Sequence, residues 1–378
     1  MSPRLLISLL FVVGLAGCVA ESEPVADTRP ALKDAFAEAF MVGAALNSDQ
    51  FFERDTDGAE LVKAQFNTIT PENVMKWERV QPEPGVFTFD AADQFVAFGE
   101  ANDLFIVGHT LVWHSQTPSW VFEDGNGNPT SRDTLIAQMR NHVTTMVTRY
   151  KGRVDGWDVV NEALNDDGTM RETPWQRIIG DEYLAMAFEF AHAADPDAEL
   201  YYNDYSLENA AKRDGAVRLV QGLLDAGVRV DGVGTQAHHM LDANSPSVEA
   251  QSATIEAFAA LGVDVMITEL DIAVLPRPSS VWGADVNQRA AMREGNNPYT
   301  AGLPDSVQAA LAQRYADLFD VFMAHKDDIS RVTFWGVSDG DSWLNGWPIE
   351  GRTSYPLLFD RAHQPKPAFD AVLKTASR

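Results

Sequence analysis

The chain has 378 residues, of which 45% are hydrophobic, so it is long and apolar enough to bury a large core. Acidic residues outnumber basic ones by 55 to 29, which gives a formal net charge of −26 at pH 7. Because such a surface cannot neutralise phosphates, the composition excludes nucleic acid as an expected partner. A strongly acidic surface keeps a protein soluble, and a saline habitat is one interpretation of it.

The first segment has the features of an export signal. Arg4 supplies a positive charge, and residues 5–15 form an apolar run that is too short to cross a bilayer as a helix. The run leads to Leu15-Ala16-Gly17-Cys18, which contains the single cysteine of the sequence. The pattern resembles a bacterial lipoprotein signal, which predicts removal of residues 1–17 and a diacylglyceryl group on Cys18. The alternative is an ordinary signal peptide that contains a cysteine.

Residues 18–30 are polar, acidic and proline-containing, so we predict a short tether between the lipid and the folded part. We expect an exported monomer, anchored to a bacterial outer membrane or cell surface, that touches the membrane only through the lipid on Cys18. A periplasmic and an outward-facing anchor both stay open. With one cysteine, the chain has no internal disulfide available.

From residue 31 to residue 378, short apolar or β-branched runs alternate with longer stretches of helical period, such as Thr134–Tyr150, Tyr183–Ala194 and Val307–His325. This rhythm is typical of βαβ units around a parallel sheet. Eight strands are predicted, the number that a (β/α)8 TIM barrel requires, and no composition shift marks a second domain. The predicted strands are Phe40–Ala45, Phe66–Thr70, Leu104–Thr110, Val154–Asn161, Leu200–Asn203, Val230–Gln236, Val263–Leu270 and Arg331–Val337.

Polar or aromatic residues stand at the carboxyl end of nearly every predicted strand. A parallel barrel brings all these ends to one face, whereas a doubly wound sheet would gather them at one switch point. No glycine-rich phosphate-binding fingerprint follows the first strand, which also disfavours a nucleotide-binding sheet. The residues are Glu72, Asn73, His109, Trp113, Asn161, Glu162, Asn203, Gln236, His238, Glu269, Asp271 and Trp335.

Two of these residues are glutamates that end apolar strands abruptly. Glu162 lies in WDVVNEAL and Glu269 in VMITELDI. Hydrolysis of a glycoside with retention needs two carboxyl groups about 5–5.5 Å apart, one protonated at rest and one ionised. Strand ends on opposite sides of a narrow barrel can supply that separation. A lone glutamate after a strand is usually a solvated loop residue, but a pair in this arrangement indicates catalysis.

Several motifs in a fixed order make the chain similar to glycoside hydrolase family ten, the barrel xylanases. The resemblance covers essentially all of residues 31–373. Its motifs are TPENVMKW (Thr70–Trp77), GHTLVWHSQTP (Gly108–Pro118), WDVVNE (Trp157–Glu162), YNDY (Tyr202–Tyr205), GVGTQAHH (Gly232–His239), ITELD (Ile267–Asp271) and FWGVSDGDSW (Phe334–Trp343).

The resemblance implies a retaining endo-β-1,4-xylanase that acts on xylan or xylo-oligosaccharides through a covalent glycosyl-enzyme. Glu162 would be the general acid/base and Glu269 the nucleophile. Asn161 would bind the 2-hydroxyl of the sugar in subsite −1. A neutral His238 is expected to donate to Glu269 and keep it ionised, with Asp271 orienting the imidazole.

The remaining implied contacts line the sugar-binding cleft. Tyr202 is implied as a stacking platform on the aglycone side, with packing as the alternative, and His114 as a support behind the site. His239 has no motif partner and is expected to be a packing residue. No zinc-type ligand spacing is present, so we expect no metal and no cofactor. The other implied sugar-binding residues are Glu72, Asn73, Lys76, His109, Trp113, Gln236, Trp335 and Trp343.

A long connection, residues 275–304, follows the strand of the predicted nucleophile. Loops of this length in a compact domain are usually functional or mobile. The sequence leaves two interpretations: a tolerated surface excursion, or a cleft element in which Trp282 or Tyr299 contacts aglycone sugars or side chains of xylan.

Two other functions stay open. An enzyme of the same fold could cleave β-1,4-glucan, although a tryptophan such as Trp343 at the ceiling of the glycone pocket would exclude the hydroxymethyl group of glucose. A surface lipoprotein that only binds glycans would have lost one carboxylate, whereas Glu162 and Glu269 are both present.

Overall fold

The fold was analysed in a computed structural model that describes residues 29–242, 245–281 and 284–378. Residues 31–378 form one compact unit. The predicted signal peptide, Cys18 and nearly all of the predicted tether lie outside the described residues. No helix within the described ranges is both long and apolar enough to cross a bilayer.

Eight parallel strands close into a barrel, which confirms the predicted (β/α)8 fold. The hydrogen-bonded order is β6-β5-β4-β3-β2-β1-β9-β8, and pairing of β6 with β8 closes the ring. A short additional strand, β7, lies beside the carboxyl end of β8 and pairs with it in parallel. The strands are β1 Met41–Leu46, β2 Thr68–Pro71, β3 Phe105–Val112, β4 Gly156–Asn161, β5 Glu199–Asp204, β6 Gly232–Thr235, β7 His238–Met240, β8 Asp264–Ala273 and β9 Ile329–Phe334.

Helices connect the strands around the outside, and several begin at a side chain that caps them. Ser131, Asn209 and Ser247 each accept a hydrogen bond from a backbone N–H in the first turn of the helix that follows them, at Arg132–Arg149, Ala210–Asp225 and Val248–Ala259 respectively. The α-helices are α1 Leu32–Ala35, α2 Ser48–Phe51, α3 Thr56–Gln65, α4 Trp77–Val80, α5 Asp90–Ala101, α6 Arg132–Arg149, α7 Pro174–Ile179, α8 Tyr183–Ala194, α9 Ala210–Asp225, α10 Val248–Ala259, α11 Asp305–Ala324 and α12 Pro367–Thr375.

Large side chains fill the inside of the barrel because glycines on neighbouring strands leave room for them. A Cβ added to Gly156 would lie 2.3 Å from the hydroxyl of Tyr201, and one added to Gly234 would lie 2.3 Å from Asn203 Oδ1. Tyr201 in turn lies under the guanidinium of Arg331, 4.4 Å from the ring centroid. The interior is therefore a packed floor beneath the strand ends.

We predict that Gly156→Ala lowers the stability of the barrel. The added methyl group must displace the buried Tyr201, and overpacking of this kind costs about 1–3 kcal/mol. The thermal midpoint of unfolding measures the effect. Gly222→Ala is the matched control, since its Cβ would meet no atom within 4 Å and it improves the propensity of a helix. Equal midpoints for the two variants would contradict the packing argument.

Candidate active site

The carboxyl ends of the strands surround a cavity of about 440 Å³. Among its lining residues are both predicted catalytic glutamates and every predicted sugar-binding residue except Tyr202. The cavity therefore gathers side chains from positions far apart in the sequence. The predicted residues that line it are Glu72, Asn73, Lys76, His109, Trp113, Asn161, Glu162, Gln236, His238, Glu269, Trp335 and Trp343.

Glu162 lies immediately after β4 and is only 4% exposed. Two donors hold its carboxyl group: Trp113 Nε1 lies 2.9 Å from Oε2, and Gln236 Nε2 lies 3.0 Å from Oε1. Burial, followed by the charge of Asp204, raises the pKa of Glu162 to about 7. The group can thus carry a proton at neutral pH and release it with little cost.

Glu269 is equally buried, at 5% exposed, but its surroundings favour the opposite protonation state. Asn203 Nδ2 donates to Oε1 at 2.8 Å, and His238 Nε2 lies 3.2 Å from Oε2. Burial alone would raise the pKa of Glu269, but His238, the charge of His109 and the hydrogen bond from Asn203 hold it below its usual value. Glu269 is therefore the ionised member of the pair.

His238 stands between two carboxylates. Its Nε2 faces Glu269, and its Nδ1 lies 3.0 Å from Asp271 Oδ1. Burial would lower the pKa of His238, but the charges and hydrogen bonds of Asp271 and Glu269 outweigh it and raise the pKa to about 10. The expectation of a neutral imidazole is wrong for this reason: both ring nitrogens face acceptors, so the imidazolium is favoured. Trp343 Nε1 donates to the other oxygen of Asp271 at 2.6 Å.

The sequence places Asn203 at a strand end but assigns it no role, whereas in the structure it contacts Glu269. Its Nδ2 lies within hydrogen-bonding distance of both Asn161 Oδ1, at 2.9 Å, and Glu269 Oε1, at 2.8 Å. Thr268 Oγ1 donates to Asn203 Oδ1 at 2.7 Å, which fixes the orientation of the amide. The side chain thus links the carboxyl ends of β4, β5 and β8.

The prediction that Tyr202 is a stacking platform is wrong, and the alternative of a packing residue agrees with the structure. Its side chain is fully buried, and its hydroxyl donates to Asp204 at 2.5 Å, so no face is free for a sugar. Successive side chains of a strand point to opposite faces, and in β5 it is Asn203 that points to the site. The alternation within YNDY was the signal that could have decided between the two residues.

One wall of the cavity is a polar network. Lys76 Nζ donates to Asn73 Oδ1 at 3.0 Å and to Gln116 Oε1 at 2.8 Å, and Gln116 also donates to Asn73. Glu72 lies beside them, and burial raises its pKa. Gln116 was not predicted, although it belongs to the quoted motif GHTLVWHSQTP. Such a row of fixed donors and acceptors suits the hydroxyl groups of a sugar.

The facing wall is aromatic. Trp343 and Trp347 stack with ring centroids 4.5 Å apart, and the ring of Trp335 stands edge-on to His109 at 5.4 Å. His109 Nδ1 lies 2.9 Å from Asp158 Oδ2, which holds its ring in place. Trp347, like Gln116, lines the cavity but was not predicted from the sequence. Flat aromatic faces pack against the C–H surface of a sugar ring.

Two further histidines behave as expected from the sequence. His114 does not line the cavity and packs edge-on against Trp113, 5.9 Å between ring centroids, which is consistent with a supporting role. Burial, with the charge of Arg171, lowers the pKa of His114 to about 3. His239 is buried, and burial likewise lowers its pKa to about 3. Both rings are neutral and act through packing.

Comparison with known proteins assigns the family. Residues 31–375 match Glycosyl hydrolase family 10. The chain belongs to this family. It is 46% identical over 350 residues to the endo-1,4-beta-xylanase A of Xylanibacter ruminicola, covering 93% of this chain and 94% of that protein. It is 39% identical to the thermostable celloxylanase of Thermoclostridium stercorarium, covering 97% and 92% of the two chains.

Solved structures give the same result. A family 10 endoxylanase retrieved from a sugarcane soil metagenome superimposes with a TM-score of 0.87 at 44% identity, covering 91% of this chain and 99% of that one. The protein is therefore a glycoside hydrolase with the barrel of its family, as the motifs predicted.

The long loop of this family 10 enzyme reaches the cavity. Its residues 284, 286, 287 and 289 line the cavity, which favours the interpretation as a cleft element. Trp282 lies outside the described residues. Tyr299 does not line the cavity; its carbonyl accepts a hydrogen bond from the Tyr355 hydroxyl at 2.6 Å.

We predict a bell-shaped pH dependence of kcat/KM for hydrolysis of a linear xylo-oligosaccharide. Glu162 must carry a proton to act as the acid, and its pKa is about 7, so activity falls tenfold per pH unit well above pH 7. Glu269 must be ionised, and its pKa is lowered, so the acidic limb lies at low pH. Steady-state kinetics between pH 3 and about pH 10 would test both limbs. A rate that stays constant above pH 8 would contradict the role of Glu162.

The variant His238→Gln should move the acidic limb and leave the basic limb near its place. Loss of the imidazolium removes the positive charge next to Glu269, so the pKa of Glu269 rises. The control is His192→Gln, which changes an exposed histidine of α8. An acidic limb that does not move in His238→Gln would show that the imidazolium does not set the charge of the nucleophile.

Proposed function

We propose that this family 10 enzyme is an endo-1,4-β-xylanase that works by double displacement with net retention. The observation that carries the proposal is the unlike protonation of two buried carboxyl groups in one cavity. Glu162 has a pKa of about 7, and the pKa of Glu269 is lowered. Retaining and inverting glycosidases both need one protonated and one ionised carboxyl group beside the bond, so this observation supports glycoside hydrolysis, and the resemblance to family ten supports retention.

In the first step, Glu269 attacks the anomeric carbon and forms a glycosyl ester. The bond from that carbon to the leaving oxygen breaks, and the proton of Glu162 passes to this oxygen. Asn203 and His238, which hold the two carboxylate oxygens of Glu269, keep it ionised and aimed before the attack.

In the second step, Glu162 takes a proton from water, which attacks the anomeric carbon and breaks the ester to Glu269. The charge of Glu269 is one of the causes that raise the pKa of Glu162. Once Glu269 is esterified, that charge is gone and the pKa of Glu162 falls. The same residue thus changes from acid to base between the steps.

The substrate class rests on the walls of the cavity and on the relatives. Trp343 lines the cavity and is held by its hydrogen bond to Asp271 and its stacking on Trp347, so we expect its ring to exclude the hydroxymethyl group that glucose has and xylose lacks. The relatives quoted above are named xylanases, one of them a celloxylanase. Xylan is therefore the first proposal, and cleavage of β-1,4-glucan as a second activity is the alternative.

The test is proton NMR of the first products formed from β-1,4-xylan and from β-1,4-glucan. We expect xylan to be cleaved faster and the β-anomer to be released first, because two inversions at one carbon give retention. Glu269→Ala should lose activity, whereas Glu162→Gln should keep the first step only for aryl glycosides with good leaving groups. Glu83→Gln, at an exposed position, is the control. Initial release of the α-anomer would refute retention.

We also propose that the enzyme is exported and anchored by a lipid on Cys18. The support is the sequence alone: the apolar run of residues 5–15 followed by Leu15-Ala16-Gly17-Cys18. Residues 18–30 would then give the catalytic unit reach from the membrane.

Expression of the full chain in a bacterium fed labelled palmitate would test the anchor. We expect labelled protein in the membrane fraction, and loss of label and of membrane association in Cys18→Ser, since this is the single cysteine. Removal of the leader without any label on the natural chain would instead establish an ordinary signal peptide.

A further inference from the structure

Part of the long loop crosses the cavity from one wall to the other. We call residues 284–290 the strap. At the aromatic wall, the carbonyl of Asp285 accepts a hydrogen bond from Trp347 Nε1 at 3.2 Å, and Ala290 N donates to the carbonyl of Pro348 at 2.9 Å. At the polar wall, Asn287 Nδ2 donates to Ser115 Oγ at 2.7 Å.

The two anchoring points lie on opposite sides of the substrate cleft. Ser115 stands between Trp113, which holds the carboxyl group of Glu162, and Gln116 of the polar network. Trp347 stacks on Trp343 on the other side. Four strap residues line the cavity, and the strap is hydrogen-bonded to a residue of each wall, so it spans the cleft as a roof.

The strap is rooted more firmly at the aromatic wall than at the polar one. Val281 is buried in a small cluster with Ala273, Leu344 and Trp347 just before the strap. Arg352 Nη1 donates to the carbonyl of Pro276 at the start of the same loop. At the polar wall the contact is the hydrogen bond from Asn287 to Ser115, and Asn287 is exposed to solvent. Breaking such a bond costs little, because its net contribution is small.

We propose that the Asn287–Ser115 bond is a latch that makes the enzyme favour short unbranched xylo-oligosaccharides over the xylan polymer. This inference rests on the proposed function. A short linear xylo-oligosaccharide can slide lengthwise beneath the closed strap. A polymer, which must lie in the cleft along its middle, can reach the catalytic pair only when the latch opens and the strap lifts.

The roof also acts on branched chains. Substituents of xylan are attached to the hydroxyl groups of its sugars. A branch on a sugar beneath the strap would therefore clash with the strap. The favoured substrate class is therefore unbranched xylo-oligosaccharides, and Asn287 and Ser115 are the residues that set this preference.

The test compares kcat/KM for linear xylohexaose with that for soluble branched glucuronoxylan in the natural chain, Asn287→Ala and Ser115→Ala. Removing either partner opens the latch, and we expect the ratio of polymer to hexaose activity to rise about three- to tenfold through a higher polymer value. Both variants break the same Asn287–Ser115 bond, and Asn287→Ala also removes the bond from Asn287 Nδ2 to Asp285 Oδ1 within the strap. The double variant should therefore show no further rise over Asn287→Ala in the ratio of polymer to hexaose activity. Asn296→Ala, in the same loop outside the strap, is the control and should keep the natural ratio.

An unchanged ratio in both Asn287→Ala and Ser115→Ala, with xylohexaose still hydrolysed, would overturn the latch and leave the proposed function intact. A natural chain that hydrolyses neither xylohexaose nor glucuronoxylan would overturn the proposed function and the latch with it. A Ser115→Ala variant with a raised ratio beside an unaltered Asn287→Ala would also overturn the latch, because the bond needs both partners.

Discussion

The chemistry of the site depends on one buried positive charge, the imidazolium of His238 between Glu269 and Asp271. Burial by itself disfavours the ionised form of both catalytic glutamates. A cavity with two neutral acids would have no nucleophile. The charge next to Glu269 breaks that symmetry, because it stabilises one carboxylate while leaving Glu162 with a raised pKa. Asp271 makes this possible by stabilising the imidazolium from the other side.

This arrangement requires strands whose ends depart from regular pairing. The register between β8 and β9 shifts between Ile267 and Leu270, and β4 shifts against β5 between Asp158 and Val160. Irregularities of this kind re-aim side chains near active sites. They explain how two consecutive residues, Thr268 and Glu269, can both contact Asn203. Gly234 on the neighbouring strand leaves room for Asn203, since a Cβ there would lie 2.3 Å from Asn203 Oδ1.

The sequence was sufficient for the fold because strands and helices depend on local patterns, and the assignment of Glu162 and Glu269 as the catalytic pair stays a prediction. The predicted helix Tyr183–Ala194 has the bounds of α8, and all eight predicted strands overlap those of the barrel. What it could not reveal depends on distances between remote residues. The charge of His238 follows from its contact with two carboxylates at once, and Asn287 meets Ser115 across 172 positions. Tyr202 is a different case, because alternation along β5 already opposed the prediction.

Residues on the strands set the protonation states of the site, and residues on the loop set which substrates reach it. Groups that set protonation, such as Asn203 and Glu269, lie on barrel strands, where displacement would disturb the packed interior. The strap lies on a loop that makes few demands on the core, so changes in its sequence alter which chains reach the cavity and leave the charge of the nucleophile in place. Loop entropy grows slowly with length, so a long connection after β8 is tolerated. Substrate choice and catalytic chemistry can therefore vary independently in this barrel.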